Sequence, residues 1–307
     1  MFNSKYGTPG ETMMKKYDRI CSIFLSKVKD EVTKKKMEQI LYNGRYGNYL
    51  VNTDLTNKGN ATLEMRRRIS IAYMLATNPE TFDVLFQNNI NLFHGTNISA
   101  LPNILNYGMN SFNELSKRGI DISTGENFSR QYNGRSFISF TDDLDTAIDY
   151  AAIMPSLGEN QKDNSYGMLI GISSEDLKKL STCRVHSDTP EIGIMNNVPL
   201  EYIKLIAVPE NKVQFVRKLV GDKPITVAPV NIDDRFYYID DCDFVIDDER
   251  AEEFIQEKRQ RETIAFKNED IKELASERKI SGIKSIYKKI KEKIQSKGKE
   301  IEDESRE

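Results

Sequence analysis

Apolar residues recur at three- and four-residue steps from Glu11 to about Tyr42, at Met13, Tyr17, Ile20, Phe24, Val28, Val32 and Met37, which predicts one amphipathic helical arm. Asn43, Gly44, Gly47, Asn57, Gly59 and Asn60 then mark a turn-rich stretch. A second helical pattern carries Ile69, Ile71, Met74 and Leu75 and stops near Asn78-Pro79. Between Asn89 and about Val230 the texture changes to short apolar runs separated by turn residues and short helical patterns. The runs are Ile90 to Phe93, Ser136 to Phe140, Met168 to Ile172 and Tyr202 to Val208. This alternation predicts an α+β core. Within it, Asn110 to Gly134 is rich in Asn, Ser, Gly and Arg and too long for a plain connection, so it reads as a lid or mobile loop.

Past Asp233 lies the acidic, aromatic segment DDRFYYIDDCDFVIDDE, which reads as a strand pair with acidic turns; a cation loop would need a DxDxDG spacing that it lacks. In the last arm Ile280, Ile283, Ile286, Ile290 and Ile294 form an apolar stripe flanked by lysines. Such a helix can lie on an anionic membrane, but the pattern more often docks on the protein's own body or on a partner, and docking through 279–299 is the favoured reading. The acidic end, 300–307, has the composition of a disordered tail. The organisation expected is a helical region 1–88, a core 89–247 and a charged helical arm 248–307.

Composition narrows the function. A chain of 307 residues accommodates one substantial core with appended elements. A net charge of -3 argues against affinity of the whole chain for nucleic acid. Cys21, Cys183 and Cys242 are far apart and odd in number, which fits neither a zinc knuckle nor a disulfide framework. No run of apolar residues is long enough to span a membrane, and Met1 to Lys16 lacks the apolar stretch of a secretory signal.

The candidate chemistry begins at His94, one of two histidines, which ends the apolar run and is followed by Gly95 and Thr96. A histidine leaving a strand beside a glycine can hold a hydroxyl, while the glycine lets a ligand reach the main chain. After FHGTN comes the amphipathic segment ISALPNILNYGM, closed by Gly108. In GRSFISFTDDLDTAIDYA a strand leads through Thr141 and Asp142 into a helix, with Tyr150 eight residues beyond Asp142. In VPLEYIKLIAVPEN, Glu201 precedes an apolar strand after a turn-like, unpaired stretch with Pro190, Gly193, Asn196, Asn197 and Pro199.

These three motifs, in this order, resemble those of the ADP-ribosyltransferase superfamily, in the His-Tyr-Glu branch of diphtheria toxin and the poly-ADP-ribose polymerases. The resemblance covers about Leu92 to Val216. It implies a split β-sheet core between N- and C-terminal helical extensions, with NAD as a consumed substrate and no metal. It also implies roles. Glu201 would hold the nicotinamide-ribose 2'-hydroxyl and stabilise the cation that forms as the glycosidic bond breaks. His94 would anchor the adenosine ribose, Gly95 would pair its main chain with the nicotinamide amide, and Tyr150 would stack on the pyridinium. Thr96, Ser139 and Phe140 would support this geometry, and Arg130 or Arg135 would meet the diphosphate.

Two departures bear on this. Ser139 stands where the polymerases carry a second aromatic, with Phe140 beside it. Pro199 stands two before Glu201, where arginine-modifying toxins place Glu or Gln. The expected activity is transfer of single ADP-ribose units to a protein side chain, arginine first, of the kind found in bacterial toxins and effectors. Such a chain would leave the bacterial cytoplasm for a host cell without an N-terminal signal, and its acceptor would be a host protein. Competing readings are an NAD-dependent modifier of nucleic acid, an NAD glycohydrolase, and a noncatalytic partner-binding module on the same fold.

Overall fold

The single arm expected at the N-terminus is two helices, α1 (Met13–Lys27) and α2 (Glu31–Asn43). Asp30 causes the break: its backbone is extended and its carboxylate accepts the Thr33 amide at 2.7 Å, which starts a new helix. The apolar repeat runs across the break because both helices bury the same stripe, Tyr17, Ile20 and Phe24 in one and Met37, Ile40 and Leu41 in the other. Gly44, at φ 64, ends α2 in the left-handed conformation that glycine adopts without strain. A small hairpin, β1 (Arg45–Tyr46) and β2 (Tyr49–Leu50), follows. The computed structural model describes residues 12–51, 60–119, 136–153, 166–184, 191–231, 235–240 and 243–256.

Asn60 caps α3 (Ala61–Thr77) by accepting the Leu63 amide at 3.1 Å. Pro79 then opens α4 (Pro79–Gln87) at a position where its missing N–H costs nothing. The four expected apolar runs all become strands: β3 (Ile90–Asn97), β5 (Phe137–Thr141), β6 (Gly167–Ser173) and β10 (Leu205–Val208). Between them lie α5 (Leu101–Tyr107), β4 (Met109–Asn110), α6 (Phe112–Lys117), α7 (Leu144–Ile153), β7 (Thr182–Arg184), β8 (Glu191–Met195) and β9 (Asn197–Val198). After β10 come α8 (Val213–Val220), β11 (Thr226–Pro229) and the hairpin β12 (Tyr237–Asp240) and β13 (Asp243–Ile246). The acidic aromatic segment thus forms a strand pair, as expected. Among the described residues, those up to Ala251 form one compact unit and those from Glu252 fall outside it.

Seven strands form the central sheet in the order β11-β10-β6-β3-β5-β8-β7, antiparallel except for β10 and β11. Alternation along the strands divides the side chains between two layers. Leu92, Ile138, Phe140, Ile170 and Ile194 join one apolar cluster with Leu101, Ile104 and Leu105 of α5 and Val213, Val216 and Val220 of α8. The opposite face receives α7, whose backbone comes so close that only glycine fits beneath it: a Cβ on Gly95 would lie 2.1 Å from the Ala147 carbonyl oxygen, and one on Gly167 2.3 Å from that of Ala151. The architecture is α+β, with helices on both faces of a mixed sheet. The C-terminal arm that carries the isoleucine stripe lies outside the described residues.

Candidate active site

The two halves of the sheet meet between β3 and β5. Among the described residues these strands share one paired position, Phe93 opposite Thr141, whereas β3 pairs with β6 at seven positions and β5 with β8 at five. Beyond that rung the strands part, and the imidazole of His94 takes the place of the missing ladder, with Nδ1 2.7 Å from the Ser139 carbonyl oxygen. A carbonyl can only accept, so Nδ1 carries the proton and Nε2 of the neutral ring presents a lone pair. Burial lowers the His94 pKa below the ordinary histidine value, opposed by the Ser139 hydrogen bond, so the neutral form prevails at neutral pH. Phe140 fixes the ring from the core side, at 5.5 Å between centroids.

Gly95 continues β3 and sets how closely α7 approaches. The Cβ of Tyr150 lies 2.9 Å from the point where a side chain on Gly95 would begin, so Tyr150 leaves α7 directly beside the Gly95 main chain. Thr96 follows on β3, half-buried and opposite Met168. Gly95 and Tyr150 thus lie together on one face beside the gap between β3 and β5, with the Ser139 side chain on that face too, whereas His94, Thr96 and Phe140 turn to the other face. Phe140 is 1% exposed and acts as packing behind the imidazole, not as a surface open to a ligand.

Glu201 is not brought to this place. It lies exposed in a one-turn 3-10 segment, Leu200–Tyr202, where its carbonyl accepts the Lys204 Nζ at 2.6 Å. Leu205 of β10 stands opposite Gly171 of β6, and Gly171 opposite Phe93 of β3. Because β10 runs parallel to β3 through β6, the residues before Leu205 lead towards the Ile90 end of the sheet, away from His94. Arg130 and Arg135 lie outside the described residues.

The carboxylate that does reach the gap is Glu191. The segment expected to be an unpaired turn contains β8, and its first residue pairs with Thr141, the same residue that pairs with Phe93. Phe93, Thr141 and Glu191 therefore form one rung, with Glu191 roughly 10 Å from Phe93 at ordinary strand spacing. Alternation sends Glu191, Ser139 and Gly193 to the face that carries Gly95 and α7, and sends His94, opposite Ile170, to the face of the apolar cluster, from which its ring reaches the Ser139 carbonyl across the gap. Glu191 is 7% exposed and makes no side-chain hydrogen bond or ion pair among the described residues. The Ser139 hydroxyl, on the same face, is buried and lacks a partner among them. The Ser139 hydroxyl is thus a buried polar atom left unpaired among the described residues, and the Glu191 side chain lies on the same face.

The turn between β5 and α7 is held from behind by charge. Arg67 donates from Nε at 2.9 Å and Nη2 at 2.6 Å to Oδ1 of Asp142, both residues buried. Arg66 Nε lies 2.7 Å from Asp143 Oδ2, and Arg235 pairs with Asp145 at 3.1 Å and with Asp149. Burial raises the Asp143 pKa, opposed by Arg66, and pushes Asp145 up to about 6, opposed by Arg235 and Arg66. Among the described residues no group of three or more His, Cys, Asp or Glu is placed to hold a metal ion.

No family model and no curated protein matches this sequence. Among solved structures, the chain is similar to one described as Thermosipho africanus DarTG in complex with ADP-ribose. The identity is 13% and the TM-score 0.35, over 45% of this chain and 49% of that one, so the match spans about half of its length.

Glu191 escapes sequence reading because Pro190, Gly193, Asn196 and Asn197 surround it with turn-forming residues. The signal present is the alternation in Glu-Ile-Gly-Ile-Met, whose isoleucines face the core while the glycine lies beneath Cys183 and Phe137. Glu201 stands before Tyr-Ile and an apolar strand, but it enters that strand, β10, from the Ile90 end of the sheet.

Proposed function

We propose that this chain consumes NAD and transfers single ADP-ribose units to a protein side chain, with Glu191 as the catalytic carboxylate. The observation that carries the reading is the rung Phe93–Thr141–Glu191, which brings a buried carboxylate level with the strand bearing His94 and Gly95, on the face from which Tyr150 descends. The Nε2 lone pair of His94 accepts a ribose hydroxyl. The Gly95 main chain and the Ser139 hydroxyl meet the carboxamide, and Tyr150 stacks on the cationic ring.

As the bond between the ribose C1' and the nicotinamide nitrogen breaks, its electron pair leaves with nicotinamide, which departs neutral, and positive charge develops on the sugar. Glu191 hydrogen-bonds the 2'-hydroxyl and stabilises that charge, and the acceptor's lone pair closes on C1' as the acceptor loses a proton. Arginine is the first acceptor to test. Incubating the protein with labelled NAD and a cell lysate separates the readings. A labelled protein band supports transfer to protein, labelled nucleic acid or free ADP-ribose redirects the acceptor, and no label at all contradicts the enzymatic assignment.

A further inference from the structure

The proposed site is divided between two bodies joined by one rung. His94 and Gly95 belong to the half-sheet β11-β10-β6-β3, and α7, with Tyr150, is packed onto the glycines of β3 and β6. Ser139 and Glu191 belong to the half-sheet β5-β8-β7, which is tied internally by five pairs between β5 and β8. A single pair between β3 and β5 fixes the register of one half against the other only weakly. Contacts outside the ladder hold it: the apolar cluster shared by both halves, the His94–Ser139 hydrogen bond, and a buried ion pair from α3.

The α3 and α4 helices are anchored on the first half. Thr81 of α4 donates to the Pro229 carbonyl of β11 at 2.6 Å, and Asn78, between the two helices, accepts from the Asn231 amide at 3.2 Å. From α3, Arg67 crosses to the second half and grips Asp142, the residue directly after Thr141 on the shared rung. Both partners are almost fully buried, at 2% and 3% exposure, and two donors of a planar fork converge on one oxygen, which fixes direction as well as distance.

We infer that the Arg67–Asp142 pair is the brace that aligns the half-sheet bearing Glu191 with the half-sheet that grips NAD, and that Arg67 is a positioning residue for catalysis. This rests on the function proposed above. The groups holding NAD lie mostly on the first half and the carboxylate on the second, so loosening the brace moves Glu191 relative to bound NAD while sparing the grip itself.

The test compares wild type with Arg67→Lys, which keeps the charge but loses the fork, and with the double variant Arg67→Met/Asp142→Leu, which removes the pair without leaving a buried charge. Thermal unfolding establishes that each folds, NAD turnover gives kcat and KM, and hydrogen exchange follows the amides of β5 and β8. The expected result is a fall in kcat on the order of tenfold to a hundredfold, with KM for NAD within about threefold of wild type. Exchange is expected to quicken at Thr141 and not inside the β5–β8 ladder. An unchanged kcat in a folded variant, or a rise in KM with kcat preserved, overturns the inference. If neither variant folds, the pair serves stability alone and the inference also falls. A wild-type protein that turns over no NAD while Arg67→Lys still frees the Thr141 amide sinks the proposed function and leaves the brace.

Discussion

At the scale of single residues, two glutamates that look alike in the sequence part company in the fold. Glu191→Gln removes a charge needed mainly in the transition state, so kcat falls on the order of 100- to 1000-fold while NAD affinity, read by calorimetry, changes little. Glu201→Gln, on an exposed turn at the other end of the sheet, leaves both unchanged. His94 supplies a pH test. Burial lowers its pKa, so the folded protein keeps the ring neutral below the ordinary value of 6.5. A depressed histidine pKa means that the stability and the hydroxyl-accepting lone pair it provides are complete above that value and are lost only as pH falls further, through the folded pKa. NAD affinity measured from pH 8 downwards is therefore flat through neutrality and falls only in acid, and His94→Ala is weakened at every pH. His94, Gly95 and Tyr150 were legible because each sits at a local boundary, a strand end or a helix position, that a short motif describes. Glu191 was not, because its place depends on a pairing with Thr141 fifty positions away that no local pattern encodes.

At the scale of elements, the strands that cross the core are legible in their apolar runs, and the pattern misleads where one residue overrides it. Asp30 divides one apolar repeat into two helices, and Gly193 hides a strand because it must be small beneath Cys183 and Phe137. The seat of α7 is the element most sensitive to a single atom. In Gly95→Ala the new methyl meets the Ala147 carbonyl at 2.1 Å and the backbone must yield, so chemical unfolding reports a loss of about 3 kcal/mol and the Tyr150 grip on NAD weakens with it. The charged underside of α7 gives an independent reading. Asp145, pushed up to about 6 chiefly by burial, holds its proton more tightly folded than unfolded. Its contribution to stability is therefore complete below the ordinary carboxylate value of 3.8 and is lost as pH rises through about 6. Asp145→Asn cannot ionise, so the melting temperature of wild type relative to this variant declines between those values and is level above them.

At the scale of the whole molecule, the sheet is two half-sheets that meet at one rung, and the proposed site occupies the seam. The α+β class followed from the alternation of strands and short helices, but the seam did not, since it arises from the absence of pairing between β3 and β5 beyond Phe93 and Thr141. Nor did the part played by α3. A mid-helix arginine pair such as Arg66-Arg67 reads as solvated surface until the fold brings Asp142 and Asp143 against it. Breaking a buried pair of this kind by removing one partner costs about 3–5 kcal/mol, so Arg67→Ala is expected to lower the unfolding midpoint far more than any exposed arginine on the same helix. The most direct measurement of the central claim is a crystal structure with a non-hydrolysable NAD analogue. The expected result is the nicotinamide ring against Tyr150, its carboxamide on the Gly95 main chain, and the Glu191 carboxylate within hydrogen-bond distance of the adjoining ribose 2'-hydroxyl. An analogue bound elsewhere, or one whose ribose meets Glu201 or no carboxylate at all, contradicts it.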